Sequence, residues 1–163
     1  GDVYKRQFLL LVKFWRGMEG IEEIIRELGG EIIRIGKPVK TVEQAVRATS
    51  STRRQVIKSL LFISQKGPVL AIVNGKSRVD LKKLSRIVGS VRLATPQEVK
   101  RITGYEAGAV PPVGVNVKTV VDPAVLENEF VIGGGGRIDT LSKLKPEKIV
   151  EYQRAQVVDI STE

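Results

Sequence analysis

Apolar residues recur at helical spacing in five segments of the chain, which predicts five helices. Residues 19–28 form the first of them. In the third, which Asp80 is expected to cap, we expect Leu81, Leu84 and Val88 to face inward. The remaining helices are predicted to begin at capping or proline residues, namely Thr41, Thr95-Pro96 and Pro146.

Runs of β-branched and aromatic residues predict at least six strands between these helices. The clearest are residues 55–64 and 69–73, which the turn residues 65–68 join into a β-hairpin. Shorter strands are predicted at 31–35, 91–94, 118–121, 129–132 and 156–160, with 138–141 as a further candidate. Because strands and helices do not alternate regularly, the pattern predicts a mixed α+β domain.

Composition limits the chemistry of this domain. The 163 residues, 42% of them hydrophobic, suit one domain with a sizeable core. Lys and Arg outnumber Asp and Glu by 27 to 18, which favours phosphate-rich partners. The chain has no Cys and no His, so disulfides, cysteine nucleophiles, histidine bases and thiolate or histidine metal sites are excluded.

The N-terminal residues are, in our interpretation, not part of the natural protein. Residues 2–7, DVYKRQ, match a translated sequencing adapter, so we expect residues 1–17 to be a non-native extension. Met18 is then the expected start, and residues 18–163 are expected to be a single domain. The apolar run at 8–12 is far shorter than the ~20 residues that span a bilayer, so we expect no membrane segment and a cytoplasmic protein.

One lysine lies in an unusual position for a charged residue. In the strand VIKSLLFI, Lys58 shares a face with Val56, Leu60 and Phe62. It is either a lysine that protects a sheet edge from aggregation or a cation that binds a charged substrate.

Two glycine-rich segments are candidate walls of a pocket. Residues 103–114, TGYEAGAVPPVG, contain three glycines and two prolines, and four glycines follow a strand at 133–136. The run at 133–136 does not fit a Rossmann or Walker phosphate loop. Each segment is either an ordinary turn or a backbone-built site for a ligand, the second with amides that could hold an oxyanion. Asp139 fixes a ligand amine or hydroxyl, or forms a salt bridge.

Four segments, taken in order, resemble one family: QVIKSLLF, DLKKLSRIVG, TGYEAGAVPPVG, and TVVDPAVL with VIGGGGRIDTL. The chain resembles the YbaK/ProX family, freestanding aminoacyl-tRNA deacylases related to the editing domain of bacterial prolyl-tRNA synthetase. The resemblance spans about residues 21–160. It implies an α+β fold with a strongly curved β-sheet or partial barrel of about six to seven strands and about five helices.

The resemblance also implies the site residues. Lys58 takes the position of the signature functional lysine. The GxxxP loop, the glycine run and the acid after it correspond to Gly108, Ala109, Val110, Pro111, Pro112, Gly133, Gly134 and Asp139. The polar and aromatic residues that line the pocket early in some members have no clear counterpart in IGKPVKTVEQA, which leaves the amino-acid specificity open.

The implied function is hydrolysis of the ester between a wrong amino acid and the 3′-terminal adenosine of a tRNA. A small amino acid such as Ala, Cys or Ser is expected, with tRNA-Pro as a candidate. A positioned water would suffice, without cofactor or metal. The implied partners are tRNA and, as a second candidate, an aminoacyl-tRNA synthetase. The alternatives are a non-catalytic tRNA- or synthetase-binding module and a small-molecule binding domain.

Overall fold

The computed structural model describes residues 20–163. The helices are α1 (Ile21–Glu27), α2 (Val42–Thr49), α3 (Leu81–Val88), α4 (Pro96–Thr103) and α5 (Pro146–Gln153), with a 3-10 helix at Pro123–Glu127. The strands are β1 (Glu31–Arg34), β2 (Ile57–Ser64), β3 (Gly67–Asn74), β4 (Val91–Leu93), β5 (Lys118–Val121), β6 (Val131–Gly134), β7 (Thr140–Leu144) and β8 (Gln156–Val157). The expected extension at 1–17, its apolar run and the start at Met18 lie outside the described residues and stay predictions.

The strands form two sheets that meet near the start of β2. One has the order β1-β7-β6 and is antiparallel. The other has the order β4-β2-β3-β5-β8, in which β2 is antiparallel to both neighbours while β5 is parallel to β3 and β8. A parallel bridge between Val56 and Ile132 connects them. The predicted α+β class is confirmed, and the expected curved sheet or partial barrel is an unclosed pair of sheets.

The capping residues read from the sequence begin their helices as predicted. The Thr41 side chain accepts a hydrogen bond from the Gln44 amide, and the Gln44 side chain accepts one from the Thr41 amide. Thr95 and Glu98 form the same reciprocal pair. Such boxes satisfy two of the amides that a helix start leaves without partners.

Other details of the sequence interpretation are wrong. Leu81 is 51% exposed, because α3 packs through Leu84 and Val88, one and two turns further along. The sequence gives no sign of the 3-10 helix at Pro123–Glu127, which Asp122 caps. Strand β8 has two residues instead of five. The predicted strand at 129–132 begins later and takes in two glycines as β6.

Strand β3 lies at the centre of the core and is buried on both faces. Leu70 and Ile72 pack in the cluster that includes α1 and α5. Val69, Ala71 and Val73 face the other side, in the cluster that includes α3. Strand β2 pairs with β3 along its whole length, so residues at its start are held in a fixed register. No helix within residues 20–163 is long and apolar enough to cross a membrane.

Candidate functional site

Three of the sequence-predicted site segments meet at one cavity of about 270 Å³. Lys58 contributes from β2, Gly108 and Val110 from the loop after α4, and Gly133 and Gly134 from β6. These residues are far apart in sequence and come together because β6 approaches the start of β2 at the junction of the two sheets. The structure therefore assembles most of the predicted site in one place.

Four of the predicted residues do not line this cavity. Ala109, Pro111 and Pro112 are buried but are not among the lining residues. Asp139 also lies outside the lining, and its carboxylate pairs with Arg137 at 3.3 Å. For Asp139 the geometry matches the salt-bridge alternative, while its role in ligand binding stays a prediction.

The loop and the glycine run support each other through close backbone contact. A Cβ placed on Gly134 would lie 2.2 Å from the carbonyl oxygen of Val110. The Gly136 amide donates a hydrogen bond to the carbonyl of Ala109 at 2.9 Å. The loop is therefore a buried wall that rests on β6, and the Gly136 amide is already occupied and is not a free oxyanion donor.

The side chain of Lys58 is half-buried and is held by the turn that follows β3. Its Nζ donates a hydrogen bond to the carbonyl of Ser77, and its backbone lies opposite Val73 in the β2–β3 pair. Strand β4 pairs only with the far end of β2, from Phe62 onward. Burial, and after it the nearby positive charge of Arg78, lowers the pKa of Lys58 from 10.5. The Lys58 amine therefore acts as a hydrogen-bond donor at this end of the cavity.

The lowered pKa of Lys58 predicts a specific pH dependence of stability. Below the folded pKa, the folded protein holds a charged, partly desolvated ammonium at a cost absent from the unfolded chain. That cost disappears as the pH rises through the folded pKa towards 10.5. We therefore expect the free energy of unfolding of the wild type, measured relative to Lys58→Met, to increase in that range. Urea unfolding at several pH values measures it, and a constant difference would contradict the shift.

Sequence reasoning missed the wall that precedes α2. Val39, Lys40, Thr41 and Val42 line the cavity, in the segment IGKPVKTVEQA that offers no polar or aromatic pocket residues. The available signal was Pro38, which favours extended backbone, followed closely by the helix cap Thr41. Together they indicate an extended segment that leads into a helix. The amides of Lys40 and Thr41 both donate to the Gln44 side chain, so this helix start is satisfied internally.

The chemistry available to the cavity is limited. Lys40 and Lys58 are the ionisable residues of its described lining. Within residues 20–163, no group of Asp and Glu is arranged to hold a metal ion. The Oγ of Ser59, another lining residue, is buried without a hydrogen-bond partner in the described structure. The arrangement can bind an anionic or ester group, and its described lining offers no nucleophile with an adjacent base.

Comparison with known proteins places these features in a family. The family model described as "Aminoacyl-tRNA editing domain" matches residues 36–152. Proline–tRNA ligase of Thermotoga neapolitana is 37% identical over 59% of this chain, and the match covers only 17% of the ligase. The Enterococcus faecalis protein named "Putative Cys-tRNA(Pro)/Cys-tRNA(Cys) deacylase EbsC" is 25% identical over 75% of this chain and 77% of its own length.

A solved structure agrees over most of the fold. It is described as a "putative trans-editing enzyme for prolyl tRNA synthetase", and it superposes with a TM-score of 0.81 at 33% identity. The match covers 91% of this chain and 96% of that one. The likeness therefore extends across both sheets and the cavity between them.

Proposed function

This chain belongs to the aminoacyl-tRNA editing domain family, and on that premise we propose that it is a deacylase that hydrolyses mischarged tRNA. The observation that carries the proposal is the cavity itself. It combines one half-buried cation, Lys58, with walls that include Gly108 and Val110 of the loop after α4 and Gly133 and Gly134 of β6. This is a binding site for a small acyl group next to an anionic or polar one.

The proposed reaction needs no covalent intermediate with the protein. A water oxygen bonds to the ester carbonyl carbon, and the bond between that carbon and the ribose oxygen then breaks. The ribose oxygen leaves with a proton, which yields a free amino acid and an uncharged tRNA end. The aminoacyl ester is already activated, so positioning and charge stabilisation supply the catalysis. The neighbouring ribose hydroxyl of the substrate is the candidate group to orient the water.

The role of Lys58 in this scheme is to hold the substrate. Its ammonium is fixed by the Ser77 carbonyl and has two further protons to donate. We propose that these bind the phosphate of the terminal adenosine or the ester region, while the loop at 108–112 surrounds the aminoacyl group. Asp139, which pairs with Arg137, supports the β6–β7 turn in this proposal.

The size of the cavity favours a small amino acid. Its volume of about 270 Å³ lies below the ~300–1,000 Å³ of typical small-molecule pockets. A synthetase separates side chains that differ by one methylene by only about 1–3 kcal/mol, so a second, smaller site must remove the errors. We propose Ala, Cys or Ser as the edited amino acid and tRNA-Pro as the tRNA, since the similar ligase segment belongs to proline–tRNA ligase.

Incubation with a panel of mischarged tRNAs tests the function. We expect hydrolysis of tRNA-Pro carrying Ala, Cys or Ser, and no hydrolysis of the same tRNA carrying its correct amino acid, proline. Release of free amino acid over time measures turnover. Salt-dependent tRNA binding without any turnover would overturn the enzyme assignment in favour of a non-catalytic tRNA-binding module. An aminoacyl-tRNA synthetase is the proposed second partner, testable by co-purification.

A further inference from the structure

A second cation lies beside Lys58 and takes no part in the site described above. Arg78 follows Ser77, the residue whose carbonyl binds the Lys58 ammonium, and its side chain is exposed. Within residues 20–163, Arg78 forms no ion pair with any acidic residue. By contrast, Arg53 pairs with Glu43, and Arg137 with Asp139. The charge of Arg78 is therefore uncompensated within the described residues, one position along the chain from the carbonyl that binds Lys58.

The backbone around Arg78 is fixed from both sides. On one side, the Asn74 side chain accepts hydrogen bonds from the amides of Lys76 and Ser77, at 2.9 and 3.1 Å. On the other side, the Arg78 amide donates to Thr162 Oγ1 at 3.2 Å, and the Thr162 amide donates to the Arg78 carbonyl at 3.0 Å. The backbone that carries the Arg78 side chain is therefore already ordered, so no backbone entropy is lost when the side chain binds a ligand.

The fixation extends into the core through a buried carboxylate. Asp122 is 4% exposed and accepts hydrogen bonds from the amides of Ile160 and Ser161, at 3.0 and 3.1 Å. Ser161 in turn forms an antiparallel bridge with Val79. The C-terminal segment thus holds the residue after Arg78 in register.

We infer that Lys58 and Arg78 together form a binding site for a phosphodiester, specifically the one that joins the terminal adenosine to the rest of the tRNA. This inference rests on the proposed function. Two like charges close together, one of them half-buried, repel each other, and an anion between them removes that repulsion. Arg supplies a planar fork that suits phosphate oxygens, while the lysine acts as a point charge from inside the cavity. The same geometry places the ester, on the other side of the adenosine ribose, towards the loop at 108–112.

Two minimal substrates separate this site from the rest of the tRNA. One is 3′-O-alanyl-adenosine, and the other is the same ester with a 5′-phosphate. We expect the wild type to hydrolyse the phosphorylated ester with a kcat/KM about 10-fold or more higher, the effect of one good charged contact. Arg78→Ala should lower that preference several-fold, measured as the ratio of kcat/KM for the two esters. Arg78→Lys, which keeps the charge, should restore part of it.

Arg101→Ala is the matched control, because Arg101 is exposed on α4, lies outside the cavity lining and has no ion pair among the described residues. It should leave the preference for the phosphorylated ester at the wild-type value. On intact mischarged tRNA, Arg78→Ala should also reduce the slope of log affinity against log salt by about one, as expected for one lost phosphate contact.

The outcomes separate this inference from the function on which it rests. Equal wild-type rates on the two esters would overturn the phosphate site and leave the deacylase function standing. A wild-type preference that Arg78→Ala does not change would remove Arg78 from the site. If hydrolysis of both minimal esters is too slow to measure, the test is the slope of log affinity against log salt on intact tRNA. A slope that Arg78→Ala leaves unchanged overturns the inference. Failure to hydrolyse any mischarged tRNA would instead overturn the proposed function.

Discussion

Replacing Lys58 by alanine is expected to lower kcat/KM for mischarged tRNA by about 10²–10³, the usual cost of removing a preorganised charged or polar donor from an active site. Lys58 is the half-buried cation of the cavity and is held in place by the Ser77 carbonyl. Its loss also removes a like charge from beside Arg78. We therefore expect the stability of Lys58→Ala to remain within about 1 kcal/mol of the wild type. Single-turnover deacylation and urea unfolding measure the two effects.

Lys66→Ala is the control for this variant. Lys66 lies at the other end of the same hairpin, in the turn between β2 and β3, and its side chain is exposed. The Lys66→Ala variant loses the same charge as Lys58→Ala, but at a distance from the cavity. Its rate of deacylation should therefore equal that of the wild type. If Lys58→Ala and Lys66→Ala were equally active, Lys58 would be an ordinary structural lysine and the proposed mechanism would be wrong.

The features that the sequence predicted well are those that depend on neighbouring residues. The β2–β3 hairpin follows from two apolar runs and a short turn, and the starts of α2 and α4 follow from Thr41 and Thr95 with their partners three residues later. Such signals are local, because the hydrogen bonds that they predict join residues close in sequence. The overall fold class followed from the order of these elements and from the family resemblance.

The features that the sequence predicted poorly depend on contacts between distant residues. Nothing near Leu81 shows that α3 packs only through its later turns. The wall at 39–42 is equally hidden, since its residues become pocket lining only when β2 and β6 meet. Arg78 gave no signal at all, because its position beside Lys58 depends on the C-terminal segment that holds it. Pairings of this kind are set by tertiary packing, which one sequence does not display.

The close approach of loop and strand at Gly134 predicts the second large effect. A Cβ at this position would lie 2.2 Å from the Val110 oxygen, 2.8 Å from the Val110 carbonyl carbon and 3.0 Å from that of Ala109. These are backbone atoms that cannot rotate away, so the loop itself must move. A displacement of ~1 Å in a positioning element can reduce a rate by ~10²-fold. We expect Gly134→Ala to lower kcat/KM by about that factor and to destabilise the fold by about 1–3 kcal/mol through overpacking.

Gly104→Ala separates the loss of rate from the loss of stability. Gly104 ends α4 with a φ of 82°, where a side chain is strained by about 1–2 kcal/mol, but an added Cβ there meets nothing within 4 Å. The two variants should therefore have similar free energies of unfolding and very different rates of deacylation. Equal rates in the two folded variants would show that the contact between β6 and Val110 does not shape the pocket. A loss of deacylation rate in Gly134→Ala alone would mean that the close backbone contact allowed by this glycine sets the position of the wall that holds the aminoacyl group.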